Sequence, residues 1–320
     1  MPDLQSAAKG LLQLDPATFA ADFNRRPFLV RHGLTVHALF ALPRLARLAA
    51  DLSRAGASGS VLYFRADHDI NQAYPRAGDQ SSAGAANRTF VSRNLARPEL
   101  SPEDVVEQIE SCNAWMQIRN IGADPEYAAL LESLLAEIRP LAEPLAGGTC
   151  DARADVFVSS PGATTPFHLD EEHNVLLQIR GSKRISIADG SNRAVLSEDD
   201  LDAFYRGEGE LAPWSPRLEA HAVPVDLAPG LGVHIPPCHP HWVQNGESVS
   251  ISLGVVWHSD VTAARRQLFR VNRWLRSLGL RPAPAGRSPR LDALKVAPLQ
   301  LKRRALRLLR GPGRTTRSPT

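Results

Sequence analysis

The chain has 320 residues, 43% of them apolar and 22% charged, which is the composition of an ordinary folded protein with room for one substantial core. Residues 1–13 lack a basic stretch leading into an apolar one, and no run of about 18 apolar residues occurs, so the sequence reads as cytoplasmic and non-membrane. The net charge of +3 conceals an asymmetry: residues 281–320 hold 11 Lys/Arg against Asp292 alone, a local +10 that leaves −7 on the rest.

Three cysteines, Cys112, Cys150 and Cys238, are widely spaced and form no CxxC, which argues against a disulfide framework or a zinc knuckle. No repeat of 20–50 residues is present, which sets solenoids and propellers aside. In chain order, the apolar spacing around Leu39 to Leu52 predicts a helix, and Ser60 to Phe64 a strand. The Ala-, Gly-, Ser- and Asn-rich stretch from Arg76 to Arg93 reads as a long loop. Ser101-Pro102-Glu103-Asp104 is a helix start running toward Ser111, with a serine cap, an early proline and acids at the positive end of the helix dipole. Ala114 to Arg119 reads as a strand, and Asp124-Pro125-Glu126 opens a helix to about Leu141 whose face covers the later sheet.

From Ala152 the apolar pattern switches to period two. Strands are predicted at Asp155–Ser159, Phe167–Asp170, Val175–Arg180, Arg184–Ala188, His221–Val225, Val233–Pro236, His241–Asn245 and Val249–Trp257, with a short capped helix at Ser197. About eight short strands with Pro and Gly turns describe a mainly β fold with flanking helices, a double-stranded β-helix or jelly roll like that of the cupins. Ser259-Asp260 caps a further helix, and a Pro-rich linker from Arg281 to Pro289 leads to the basic end. The expected organisation is a mixed N-terminal region (1–150), a β-helix core (151–258), a helix (259–280), and a linker with a basic helical tail (281–320). Leucines at 291, 294, 299, 301, 306, 308 and 309 give that tail an apolar side, which a helix could bury on the body or in a homodimer. Its charge also leaves a nucleic-acid contact open.

His168 and Asp170 are two apart, so on a strand both side chains reach one face. His241 follows a Pro-rich turn and enters a strand; His239 has the same parity but sits in the turn, so His241 is preferred. Two histidines and one carboxylate can hold iron(II) on one face while leaving coordination positions open, unlike a closed structural zinc site. His173 has the opposite parity and should face outward, and His234 is assigned a structural or supporting role. Lys183 alternates onto the face of Ile185 and Ile187, where an ammonium is costly unless an anion meets it.

Thr165-Pro166-Phe167-His168-Leu169-Asp170, Asn174, Gln178 through Arg184, and Ile235-Pro236-Pro237 through His241 together resemble the JmjC-type, cupin-like iron(II)/2-oxoglutarate oxygenases. The similarity lies nearest the branch containing the asparaginyl hydroxylase of hypoxia-inducible factor. The resemblance implies that His168, Asp170 and His241 ligate iron, that Lys183 and Thr165 bind the distal carboxylate of 2-oxoglutarate, and that Asn174 borders the same pocket. It implies dioxygen as co-substrate, 2-oxoglutarate decarboxylated to succinate, and hydroxylation of a protein side chain or a small molecule, or demethylation where the carbon is bonded to nitrogen. Two positions depart from the branch: Trp115 and Gln117 lie on the strand where it has a tyrosine contacting 2-oxoglutarate, and Val255 stands where it has a pocket asparagine. The rival readings are a metal cupin that does not use 2-oxoglutarate, such as another dioxygenase or an isomerase, and a binding module without turnover.

Overall fold

The structure is a computed structural model that describes residues 10–55, 60–66, 99–206 and 216–310; the Arg76–Arg93 loop and the last ten residues of the basic tail lie outside them. The N-terminal elements are β1 (Leu12–Gln13), α1 (Pro16–Asp22), β2 (Phe28–His32), α2 (Leu42–Arg54), β3 (Val61–Arg65), α3 (Pro102–Glu107), β4 (Ala114–Ile118) and α4 (Pro125–Ala146). The next eight strands are β5 (Cys150–Ser159), β6 (Thr164–His168), β7 (His173–Arg180), β8 (Lys183–Ala188), β9 (Ala222–Leu227), β10 (Leu231–Ile235), β11 (His241–Asn245) and β12 (Ser250–His258). Helices α5 (Glu198–Arg206) and α6 (Pro216–Glu219) interrupt them, and α7 (Asp260–Ser277) and α8 (Pro289–Arg310) follow.

The strands form two antiparallel sheets. The large one runs β1-β2-β10-β7-β12-β5-β4-β3 and the small one β6-β11-β8-β9. Strands β5 to β12 thus alternate between the large and small sheets, with only β8 and β9 consecutive in one sheet, and wind as a double-stranded β-helix, the fold expected from the period-two pattern. β1 and β2 extend the large sheet at one edge and β3 and β4 at the other. Alternation sorts the side chains: Val156, Val158, Val175, Leu177, Leu253, Val255 and Trp257 enter the outer core with α1, α2, α3 and α4, while Leu176, Val233 and Ile235 meet Ile185, Ile187 and Val243 of the small sheet inside the barrel.

Helix α4 shows how the outer layer is built. The Asp124 side chain accepts from the Glu126 backbone N–H, Pro125 takes the first helical position, and Tyr127, Leu130, Leu131, Leu134, Leu135 and Ile138 form the buried face. The helix outruns its expected end at Leu141 and passes Pro140 and Pro144 to Ala146, because Ala142 and Ala146 remain buried against the core. It stops at Gly147, whose φ of 77° favours glycine. Glu137 of this helix accepts the backbone N–H groups of Leu11 and Leu12 at 2.8 and 2.9 Å, tying down β1. At the other end α7 begins with a reciprocal capping box between Ser259 and Thr262 and packs with α8. No helix among the described residues is long and apolar enough to cross a membrane.

Two turns meet at one end of the small sheet. Ala188 N–H donates to the Pro240 carbonyl at 2.8 Å, and a Cβ on Gly190 would lie 1.8 Å from the Cys238 carbonyl oxygen. Gly190 is therefore required by close backbone approach. Gly190→Ala should destabilise the fold by about 1–3 kcal/mol, read as a lowered denaturation midpoint at unchanged slope; an unchanged midpoint would show that the turns can separate at no cost.

Candidate metal centre

His241 opens β11 and pairs directly with His168, the last residue of β6, so the two imidazoles face the same side with ring centroids 4.1 Å apart. Asp170 lies two residues past the strand end. The expected strand to Asp170 thus stops at His168, although Leu169 still buries on the opposite face with Phe167, which preserves the alternation that aims Asp170 inward. One ligand atom from each of His168, Asp170 and His241 lies within 4.8 Å of the others. His241 Nε2 is 3.8 Å from Asp170 Oδ2.

Local contacts orient this cluster. His241 Nδ1 lies 2.9 Å from the His239 carbonyl, which can only accept, so Nδ1 carries the hydrogen and Nε2 keeps a lone pair facing Asp170. Burial, reinforced by His168, drives the His241 pKa well below its ordinary value and holds the ring neutral, the form that ligates a cation. The Asp170 carbonyl accepts the Cys238 backbone N–H at 2.7 Å, and Cys238 takes a left-handed φ of 59° in the Pro236–Pro240 turn. The strand pairing and the turn contact therefore join the two segments that carry the triad.

The remaining histidines lie elsewhere. His239 Nε2 is 3.9 Å from Asp189 Oδ1, outside the triad. His173 and His234 face the outer layer: His173 stacks on Phe23 and Trp257 and bonds Ser259 Oγ at 2.9 Å, and His234 stacks on Phe28. Cys112, Cys150 and Cys238 are all free thiols. Cys238 contacts the Tyr205 hydroxyl at 3.4 Å beneath α5 and α7, a packing position.

Beyond the triad, the small sheet carries an interior column of polar groups. Lys183 is paired with Asn245 on one side and Leu227 on the other, on the face that carries Ile185 and Ile187. Burial alone lowers its pKa to about 7, and no acidic side chain among the described residues compensates it. Thr165 pairs with Val243 and so shares that face. Its Oγ1 accepts the indole N–H of Trp115 at 2.9 Å. Asn174 pairs with Ile235 and Val256 across the barrel, and its buried Oδ1 has no hydrogen-bond partner.

The structure corrects one position. Val255 does not face the pocket; it buries in the outer core with Val175 and Leu253, because strand alternation turns it away. Val256, opposite Asn174, has the inward parity, as does Gly254, where a Cβ would meet Phe157 and approach Asn174 Oδ1. A one-residue offset in register reverses the face, and the sequence alone does not fix it. The bonds from Gln117 Nε2 to Asp155 and from Arg153 to Glu172, both 2.9 Å, were also beyond the sequence reading, whose signal was only that polar residues occupy the inward positions of β4 and β5.

The donor set fits a metal: two imidazoles and a carboxylate converge, and among the described residues no fourth His, Cys, Asp or Glu joins them to close the site. Fold and site together define a double-stranded β-helix that carries a cluster of two histidines and one carboxylate. No protein-family model matches the chain. Over 187 residues it is 27% identical to the Jumonji C domain-containing protein 5 of Drosophila melanogaster, covering 53% of this chain but only 41% of that relative's length. Solved structures that resemble it include YcfD, a ribosomal oxygenase from Escherichia coli. The complex with cobalt and 2-oxoglutarate aligns with TM-score 0.49 and 15% identity over 95% of this chain and 69% of that one. The complex with cobalt and succinic acid gives 0.48 and 14% over the same shares.

The lowered Lys183 pKa has a sign that can be measured. The folded value, about 7, lies below the ordinary 10.5, so between them the unfolded chain binds more protons and stability rises with pH; the burial penalty is fully present below pH 7. Lys183→Met should therefore raise the melting temperature of ligand-free protein at pH 7, and the advantage should shrink toward pH 10. Thermal melts across this range check it, and a pH-independent difference would contradict an uncompensated ammonium.

Proposed function

We propose that this chain is an iron(II)- and 2-oxoglutarate-dependent oxygenase of the hydroxylase type, acting on a protein side chain or a small molecule. The observation that carries the reading is Lys183: a buried ammonium without a counter-charge, on the same interior face as Thr165 and the His168–Asp170–His241 cluster. Ile187 pairs with His241 and lies four residues from Lys183, so the cation is about 13 Å down the strand from the triad row at about 3.3 Å per residue. A short diacid with one end at the triad and the other toward Lys183 fits this separation once the lysine's own length is subtracted.

When bound, iron(II) with 2-oxoglutarate and dioxygen supplies oxidation of a C–H bond, one oxygen atom entering the product and the other entering succinate as carbon dioxide is lost. The chain's residues do the positioning. His168, Asp170 and His241 would hold the metal on one face, with the His239 carbonyl fixing the His241 tautomer. Lys183 and Thr165 would bind the distal carboxylate, and Asn174 would line the wall between. Leu176, Ile185, Val233, Ile235 and Val243 keep the interior apolar and exclude water from around these groups.

Anaerobic titration of iron(II) and 2-oxoglutarate into the protein should give a visible charge-transfer band, and Asp170→Ala should abolish it. Lys183→Ala should weaken 2-oxoglutarate binding by about tenfold or more while iron(II) affinity holds. An unchanged 2-oxoglutarate affinity would favour a metal cupin that does not use it, and no band in metal-loaded protein would favour a binding module. Succinate release screened against peptides and metabolites would identify the substrate class.

A homodimer through the C-terminal helices is part of this proposal. Leu291, Leu294 and Leu301 of α8 are 50%, 71% and 66% exposed, and with Pro298 they follow the three-and-four spacing of a helix–helix seam. Light scattering after size exclusion should give twice the chain mass, and Leu294→Glu/Leu301→Glu should return the monomer; a monomeric wild type would remove the proposal.

A further inference from the structure

We infer that Trp115 is a positioning residue of the co-substrate pocket: its indole N–H occupies a lone pair of the Thr165 hydroxyl and commits that hydroxyl to donate its hydrogen to an anion beside Lys183. The inference rests on the function proposed above and adds a determinant of its selectivity.

An indole nitrogen is a donor only, whereas a threonine hydroxyl has one hydrogen and two lone pairs. At 2.9 Å from Trp115 Nε1, Thr165 Oγ1 must act as the acceptor in that contact. Its own hydrogen is then directed elsewhere, and no described side chain or carbonyl takes it within hydrogen-bond distance. A free hydroxyl could face an alcohol, an amide or a carboxylate by rotating. The Trp115 bond fills one of the hydroxyl's two lone pairs and so biases it toward donation.

The indole is held firmly enough to impose this. Trp115 is 5% exposed and packs with Leu62 and Phe64 of β3 and with Phe157 of β5. Its ring stacks on Phe64 at 5.8 Å and tilts against Phe157 at 6.0 Å. β4 belongs to the large sheet and β6 to the small one, so the contact crosses the barrel seam. Water cannot readily substitute for it there, and a buried indole N–H without a partner would be penalised.

The resulting pocket end is one-sided in its charge. Lys183 offers only donors, Thr165 is polarised toward donation, and their barrel neighbours Ile185, Leu227 and Val243 are apolar; Asn245, opposite Lys183, is uncharged and has its amide N–H committed to the Ala163 carbonyl. Two donors without an acidic group nearby select a carboxylate over a neutral or cationic terminus. Of 2-oxo acids, the site should prefer those with a second, distal carboxylate, and Trp115 should contribute to that preference without touching the ligand.

Calorimetry on protein loaded with cobalt(II), which does not turn over, tests this with 2-oxoglutarate and with 2-oxobutyrate, a 2-oxo acid lacking the distal carboxylate. Trp115→Phe, which keeps an aromatic ring but loses the N–H, should lower 2-oxoglutarate affinity about tenfold while leaving affinity for 2-oxobutyrate and cobalt(II) unchanged. Thr165→Val should lose as much, Thr165→Ser should retain wild-type affinity, and adding Trp115→Phe to Thr165→Val should cost nothing further. Equal losses for both 2-oxo acids would mark a merely structural role and overturn the inference. So would Thr165→Val at wild-type 2-oxoglutarate affinity, a result that stands even where Trp115→Phe fails to fold. Wild-type protein that binds cobalt(II) but not 2-oxoglutarate would instead overturn the proposed function, and this inference with it.

Discussion

The pairing of β6 with β11 is the constraint on which the site depends. It sets His168 against His241 in one register row, and the turn contact between Asp170 and Cys238 then brings the carboxylate beside them. A slip of one residue would turn one imidazole into the layer occupied by Phe167, Leu169 and Cys238 and leave the other without its neighbour. Hydrophobic alternation opposes that slip, because Phe167 and Leu169 would exchange a buried outer face for the polar interior. The same period-two pattern that folds the small sheet thus also brings the three candidate ligands together.

The large sheet supports this arrangement from behind. Its outer face is sealed by α1 to α4 through a continuous apolar layer that reaches Val175, Leu253 and Trp257. Its inner face approaches the small sheet through a thinner apolar band around Leu176, Val233 and Ile185. Packing on both sides fixes the strands that carry Asn174 and Val256. The small sheet has its own outer cover, in which Tyr205 and Phe269 stack at 4.5 Å over the turn containing Cys238.

Much of this was legible in the sequence because strands and capped helices write local signals. The His241–Asn245 strand agrees with its expected limits, and the Ser101, Asp124 and Ser259 caps fall where their side chains accept backbone N–H groups. His168, Asp170 and His241 were legible as ligand types, and the parity of Lys183 with Ile185 was legible as a buried cation. What escaped depends on non-local pairing. β1 and β2 are short segments whose strand state is decided by β10, which no local pattern announces. Val255 and Val256 are chemically identical, so only register tells which one faces inward. The Trp115–Thr165 contact joins residues 50 apart in sequence on different sheets, and neither residue type predicts the other.

The distribution of satisfied and unsatisfied polar groups separates scaffold from site. On the large sheet the interior polar groups are largely closed among themselves: the Gln178 amide donates to the Arg180 and Gly181 carbonyls and to Ser250, and accepts from Ser252. Asp155 accepts from Gln117 and from the Asn120 backbone. On the small sheet, among the described residues, Lys183 has no counter-charge and Asn245 Oδ1 has no partner, and across the barrel on β7 Asn174 Oδ1 is also unpartnered. An unsatisfied group alone is not a site; His234 has both nitrogens unpaired, yet Phe19, Phe23 and Phe28 enclose it and burial keeps it neutral. Lys183 differs because its folded pKa of about 7 leaves it charged through neutral pH and below, with no acidic partner among the described residues, a cost that an anion would relieve. The unsatisfied groups therefore face the barrel interior from both walls around the uncompensated cation of the small sheet, while the rest of the large-sheet interior closes most of its hydrogen bonds internally.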